Sequence, residues 1–372
     1  MKEYDVIVIG ARVAGSVLAT LLGEICQRVL ILDRAKFPSD SLSTHFFRWP
    51  ALQTFQCVGV YNAVQRAAPH MENMLNDIDG QVFKEPVKGK GGLDYFLCLR
   101  RITLDWILVQ RLGQVPTVEF IQGARMQDLL RDKDRVIGVT WQDEHGVHSA
   151  SARVVIGADG FYSQVAKLVE PETETSTPVQ RAMYFTYFKN LKPLKVPTAE
   201  HYFRGNHLTY VFPTDEQLTL IAVTVPISEF DDFRRDPQRS LYSALGNISS
   251  LGPRLENAEQ AAPIKGAGNI PCYQRIPYGP GWALVGDSAQ VMDPWSGQGI
   301  DHASMHAVML AEALDSWLTG KSSWENAMQK YHRERNEWSR KTFERTSKFA
   351  KDLRPMTRAA LMRRNLLIPS EK

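Results

Sequence analysis

The chain has little cysteine, almost no charge excess, no internal repeat and no long hydrophobic run. No stretch of about 20 apolar residues occurs in its 372 residues, so the sequence offers no membrane-spanning helix. Its four cysteines (Cys26, Cys57, Cys98 and Cys272) are far apart, with neither C-x-x-C nor zinc-ligand spacing, and no metal site is expected. Lys and Arg number 44 against 41 Asp and Glu, a net +3 that is too small to point to nucleic acid. Apolar residues at 44% and charged residues at 23% exclude a disordered or fibrous chain. The opening MKEYDVIVIG reads as a strand, without signal-peptide architecture, so the expectation is a cytoplasmic protein of a reducing compartment. At roughly 150 residues per domain, two or three lobes are expected.

What is present is a βαβ beginning. Tyr4–Ile9 (YDVIVI) is an apolar run that suits a strand buried on both faces. Gly15–Leu22 reads as a small, apolar helix, and Arg28–Leu32 as a second buried strand ending at Asp33. Phe37–His45 reads as a loop. Ile78–Phe83 and Tyr95–Arg100 read as strands, and Thr103–Arg111 as a helix capped by Thr103. Strands are expected at Glu119–Gly123, Val136–Gln142, His148–Ala152 and Arg153–Ile156. After about residue 170 the composition shifts. Arg181–Leu191, Glu200–Phe203, His207–Phe212 and Leu218–Val225 are aromatic and β-branched, the pattern of a separate antiparallel sheet. Trp282–Val285 returns to a buried strand, and His302–Leu318 and Trp324–Lys351 read as helices. From Lys341 onward there are nine Lys and Arg against three Asp and Glu, a solvated helix face or a surface for an acidic partner.

Three motifs carry chemistry. Gly10-Ala11-Arg12-Val13-Ala14-Gly15 is a variant of the G-x-G-x-x-G dinucleotide fingerprint, with Asp33 placed 23 residues after Gly10 to meet a ribose. Gly10 permits the tight turn, Gly15 lets helix and strand pack closely, and the helix N-terminus favours a phosphate. Arg12 replaces the middle glycine; its side chain either points aside or pairs with an anion. In the second, a buried strand runs into Gly157-Ala158-Asp159-Gly160, where Asp159 is either a ligand acceptor or a turn residue. The third is GDSAQVMDPWSGQGI at 286–300. Here Gly286-Asp287 ends a strand and Asp293-Pro294 and Gly297-Gln298-Gly299 precede a helix whose N-terminus suits developing negative charge. Two imitations fall short. Gly286-Asp287-Ser288 lacks the glycine that a nucleophile elbow needs at 290, where Gln stands. His302 and His306 lack the glutamate of a zinc helix, since Ala303 stands there.

In their order these motifs resemble the FAD-dependent class A monooxygenases of para-hydroxybenzoate-hydroxylase fold, whose relatives include geranylgeranyl reductases and flavin-dependent halogenases. The resemblance adds R-R-I-T-L-D at 100–105 and covers residues 4 to about 320. It implies an α/β fold: a discontinuous Rossmann-like FAD domain (1–75, 96–175 and 270–320), an antiparallel substrate sheet domain (76–95 and 176–269), and a C-terminal helical region (321–372). It implies that the turn Gly10–Gly15 and Arg12 hold the FAD pyrophosphate. Asp33 and Arg34 would hold the adenosine ribose, with Arg101 beside the pyrophosphate or ribityl chain or else in a surface salt bridge. Asp159 and Gly160 would shape the FAD and nicotinamide region, and Gly286 and Asp287 would bind the ribityl chain. Pro294, Gly297, Gln298, Gly299 and Ile300 would lie along the isoalloxazine.

On the substrate side, Tyr184 and Phe188, or Phe185 and Tyr187, would face the pocket from one side of the sheet, joined by Trp295, with core packing the alternative for each strand ring. His45 falls where relatives approach the isoalloxazine; it orients substrate, moves a proton near the flavin, or serves loop hydrogen bonding. The resemblance implies reduction by NAD(P)H, reaction with O2, and hydroxylation or epoxidation of an aromatic or polycyclic small molecule through a flavin C4a-hydroperoxide. The rival is an FAD-dependent reductase, dehydrogenase or oxidase of an isoprenoid or other biosynthetic intermediate. Halogenation is disfavoured, because no two of the eight Trp are two residues apart, as the W-x-W-x-I-P motif of those relatives requires.

Overall fold

The computed structural model describes residues 1–25, 27–41, 43 and 45–366; Cys26, Thr44 and the last six residues of the expected helical region lie outside these. The opening apolar run forms β1 (Lys2–Ile9), which turns at Gly10 into α1 (Val13–Glu24) and returns as β2 (Val29–Asp33). The chain then crosses to a second layer as β3 (Asn73–Ile78) and β4 (Gln81–Pro86). It comes back through α2 (Arg101–Leu112), β5 (Val118–Gln122) and the long β6 (Gly146–Gly157). The second layer is completed by β7 (Arg181–Lys189), β8 (Thr198–Arg204), β9 (His207–Pro213) and β10 (Thr219–Pro226). β11 (Trp282–Leu284) rejoins the first layer, followed by α3 (Gly299–Leu318), α4 (Trp324–Ala350) and α5 (Arg354–Met362).

The first layer is a parallel sheet in the order β11-β6-β1-β2-β5. All five residues of β2 are buried, because helices or strands cover both faces. The strands expected at 148–152 and 153–156 are one. β6 begins as half of a half-buried hairpin with Arg135–Asp143 and runs without a break into the core, where it pairs with β1 and β11. α2 starts at Arg101, before the expected Thr103 cap, and the Thr103 hydroxyl instead donates to Asp215 at 2.5 Å.

The second sheet has β7-β10-β9-β8-β3-β4 as neighbours. It departs from the antiparallel expectation at one place, where β3 and β8 run parallel, because β3 enters from an earlier excursion of the chain. That pairing begins at Asn73 opposite Thr198, so the excursion starts ahead of the expected boundary after residue 75. Alternation gives the sheet two apolar faces. Met183, Phe185, Tyr187, Tyr210 and Phe212 share one face with Phe46, Trp295 and the ends of α4 and α5. Tyr184, Phe188, Ile221 and Val223 pack on the other under helices at 230–235 and 237–246. Arg181, only 1% exposed, bonds Thr224 and Asn206 and reaches the Ala350 carbonyl at 3.2 Å. It thereby fastens the sheet to the end of α4, where helix carbonyls lack partners.

Candidate functional site

A cleft of about 720 Å³ opens beyond the carboxyl ends of β1, β2, β6 and β11 and is bounded on the far side by Met183 of the second sheet. Gly10 takes a φ of +103°, and a Cβ there would lie 2.5 Å from the Ala158 carbonyl oxygen. A Cβ on Gly15 would collide with the Gly10 carbonyl, so strand and helix meet as closely as a bare backbone allows. Gly10, Arg12, Val13 and Ala14 form wall; Ala11, Gly15 and Gly286 lie behind it. No side chain caps α1, so its first amides remain available. Asp33 accepts from the Ala11 and Ala35 amides, both at 2.7 Å, and Arg34 lies exposed on the rim.

Arg12 both points aside and pairs with an anion, and the anion belongs to the protein. Its guanidinium bonds Asp105, the Ser39 hydroxyl at 3.0 Å and the Asp40 carbonyl at 3.2 Å. Arg101, also on the wall, donates to the same carboxylate at 3.0 and 2.8 Å. Asp105 is fully buried between two cations, a role for the acid of R-R-I-T-L-D that sequence reasoning missed.

Asp159 and Gly160 line the cleft, with the Asp159 carboxylate turned to its own loop; it accepts from the Ser163 hydroxyl at 2.5 Å and the Gln164 amide at 2.7 Å. Burial pushes its pKa up. Asp287 differs. Its carboxyl lines the cleft without a hydrogen-bond partner among the described residues, and burial pushes its pKa up to about 6 against the pull of Arg101. Asp293 caps the turn Pro294–Ser296 by accepting from the Trp295 amide at 3.1 Å. Gly297 then takes a φ of +60°, and α3 begins without a side-chain cap. Pro294, Gly297, Gln298, Gly299 and Ile300 all form wall, so two uncapped helix starts share one cleft.

His45 lies just behind this wall. It is fully buried, with a φ of +58° that is uncommon outside glycine. Its Nε2 is 2.6 Å from the Tyr187 hydroxyl, and Phe185 meets its ring edge-on with centroids 5.3 Å apart. Burial, helped by Arg101, pushes its pKa down to about 3, so the imidazole is neutral. Its amide donates to the hydroxyl of Ser43, which is on the wall. None of the five expected pocket residues lines the cleft; Phe185 and Tyr187 are buried against His45, and the other three lie elsewhere. Strand alternation turns Tyr184 and Phe188 to the covered face. There Tyr184 stacks on Phe233 at 4.1 Å, and Phe188 packs edge-on to Tyr242. Trp295 packs against α4, its indole N–H donating to the Thr346 carbonyl at 3.0 Å. His302 lines the cleft and packs edge-on against Trp338 with His306 beside it; among the described residues no group of three or more His, Cys, Asp or Glu could hold a metal.

A family model described as an FAD binding domain matches residues 3–346. The chain belongs to this FAD-binding family. It is an FAD-dependent oxidoreductase of the fold shared by para-hydroxybenzoate hydroxylase and its relatives. It is 28% identical over 318 residues to a digeranylgeranylglycerophospholipid reductase of Methanopyrus kandleri, covering 82% of this chain and 74% of that one. It is 25% identical to the ubiquinone hydroxylase UbiL of Rhodospirillum rubrum, covering 84% and 72%. In fold it matches the myxobacterial chondrochloren halogenase CndH with a TM-score of 0.84 at 20% identity, covering 92% of this chain and 82% of that one.

The cleft fits such a cofactor on its own terms. The glycine cradle leaves room that a Cβ would fill, two helix starts offer free amides to negative charge, and Asp287 offers an unused acceptor. Among the described residues no helix is long and apolar enough to cross a membrane.

Proposed function

We propose that the enzyme is an NAD(P)H- and O2-dependent monooxygenase that hydroxylates or epoxidises a compact aromatic or polycyclic molecule. The observation that carries this reading is the second sheet at the far side of the cleft, which it reaches at Met183 and behind which Phe185 and Tyr187 pack on a neutral, buried His45. A planar aromatic ligand that reached past Met183 would gain from offset and edge contacts with such rings.

Bound FAD supplies the redox chemistry and oxygen activation. The free amides at the start of α1, Val13 to Gly15, would hold its pyrophosphate, Asp33 and Arg34 the ribose, and Arg101 the linking chain. Asp287 would accept from the ribityl hydroxyls. The amides of Gln298, Gly299 and Ile300 would stabilise the negative charge that reduction adds. Asp159 and Gly160 would shape the approach for nicotinamide. His45 and Tyr187 hold a proton in place beside the substrate; burial raises the Tyr187 pKa, so at rest both members are neutral.

The second reading is reduction of an isoprenoid double bond without oxygen insertion, favoured by the likeness to the archaeal reductase. Incubation with NAD(P)H, ¹⁸O2 and panels of aromatic and isoprenoid compounds separates the two. One ¹⁸O atom in an aromatic product supports monooxygenation. Saturated isoprenoid product two mass units heavier, with no ¹⁸O in any compound, overturns it in favour of reduction.

A further inference from the structure

We propose that Arg48 is a positioning residue that aims the amides at the start of α3 into the cleft and cancels the one negative charge in that first turn, so that it sets how strongly the site favours reduced FAD. This rests on the placement of FAD proposed above.

Arg48 follows a two-residue strand, Phe46–Phe47, and its guanidinium lies 4.8 Å from the centre of the Phe46 ring. Nη2 donates to the Ser296 carbonyl at 2.9 Å and Nη1 to the Gly297 carbonyl at 3.0 Å. In a trans peptide the C=O and N–H point in opposite directions. Drawing the Gly297 oxygen toward Arg48 therefore turns the Gln298 N–H away from it. Gly297, in the left-handed region, has no side chain to brace that peptide, and the Gln298 side chain makes no cap. The residues whose backbone Arg48 grips, Ser296 and Gly297, and the three that follow all line the cleft.

The same guanidinium handles Asp301. This acid sits in the first turn of α3 with its side chain only 1% exposed. Uncompensated, a buried carboxylate there would oppose any negative charge building on a ligand beside the helix start. Arg48 engages both of its oxygens, Oδ2 from Nη1 at 2.7 Å and Oδ1 from its own backbone amide at 2.9 Å. One residue thus orients the donors and neutralises the competing charge.

The test is the midpoint potential and visible spectrum of the flavin in the holoprotein for Arg48→Ala, Arg48→Lys and Asp301→Asn. Arg48→Ala is expected to weaken binding of reduced relative to oxidised FAD at least tenfold, a potential about 30 mV more negative, with a shifted flavin band. Arg48→Lys, which keeps the charge but not the forked reach to two carbonyls, is expected to fall between. It carries the test if the alanine variant does not fold. Asp301→Asn keeps the carbonyl contacts and removes the charge, so its potential is expected to stay at or above that of the parent. Wild-type potential and spectrum in both Arg48 variants, with only a lower melting temperature, would mean that Arg48 is a structural strap and overturns the proposal. Unchanged FAD retention in Asp287→Ala would overturn the placement of FAD, and the Arg48 proposal with it.

Discussion

Arg12 and Asp105 form an ion pair that anchors the dinucleotide turn to α2. The carboxylate is fully buried and the guanidinium is about one-quarter exposed. This explains how an arginine occupies the place of a fingerprint glycine: its backbone keeps to the wall, and its side chain leaves for a fixed acceptor that Arg101 shares.

Arg12→Ala removes one of the two cations on a buried carboxylate. The expected loss is about 1–3 kcal/mol of unfolding free energy, measured by urea unfolding. Asp105→Ala leaves Arg12 and Arg101 facing one another without their anion, and is expected to cost at least as much. An unchanged midpoint in both variants would show that the pair contributes nothing.

The glycine cradle makes a sharper forecast. Gly15→Val places branched atoms into the Gly10 carbonyl, and Gly10→Ala meets both a positive φ and the Ala158 carbonyl. Both are expected to weaken FAD at least a hundred-fold, about 3 kcal/mol. Titration of apoprotein with FAD, with far-ultraviolet circular dichroism to confirm folding, checks this.

Neighbouring residues of β7 are expected to behave differently because they face opposite ways. Phe188→Ala opens a hole under the helical cover and should cost about 3–5 kcal/mol of stability with KM unchanged. Tyr187→Phe removes only the hydroxyl bonded to His45. It should cost about 1 kcal/mol of stability and slow turnover about a hundred-fold or more if the pair handles a proton. Equal turnover in Tyr187→Phe and the parent would remove the pair from the mechanism.

Asp287 should make FAD affinity depend on pH. Its carboxyl in the folded protein titrates at about 6, above the usual value near 4. Above pH 6 it is ionised and accepts more strongly from ligand hydroxyls, so affinity should rise through pH 6. Asp287→Asn should show no such step. For the apoprotein the sign is opposite. The folded state binds this proton more tightly than the unfolded state, so the group's contribution to stability is full below about pH 4 and is lost as pH rises through 6. Asp287→Asn apoprotein is therefore expected to be more stable than the parent at pH 7, with the gap closing below pH 4.

Much of the cleft was legible in the sequence because its signals are local. A buried-strand run, a glycine turn, a helix and an acid follow one another within Tyr4–Asp33, and close backbone approach can be met only by glycine, whatever the rest of the chain does. The 157–160 and 286–300 motifs announce themselves in the same way, each at the end of a strand. The period-two pattern of Arg181–Lys189 likewise stated that two faces exist.

Which face looks at the cleft was not in that pattern, since alternation is symmetric until something packs on one side. Helices at 230–246 cover Tyr184 and Phe188, and this alone turns Phe185 and Tyr187 toward His45. The same limit hid the long-range ion pairs. Asp105 is read by Arg12 across 93 positions and Asp301 by Arg48 across 253, separations at which no residue spacing carries information. The sequence by itself determined the βαβ unit, the glycine turns and the presence of a second sheet, because backbone sterics and burial period act within a few residues. Only the tertiary structure decided where Arg12 points, which rings meet His45 and what holds the start of α3, because those follow from which distant surfaces exclude water together.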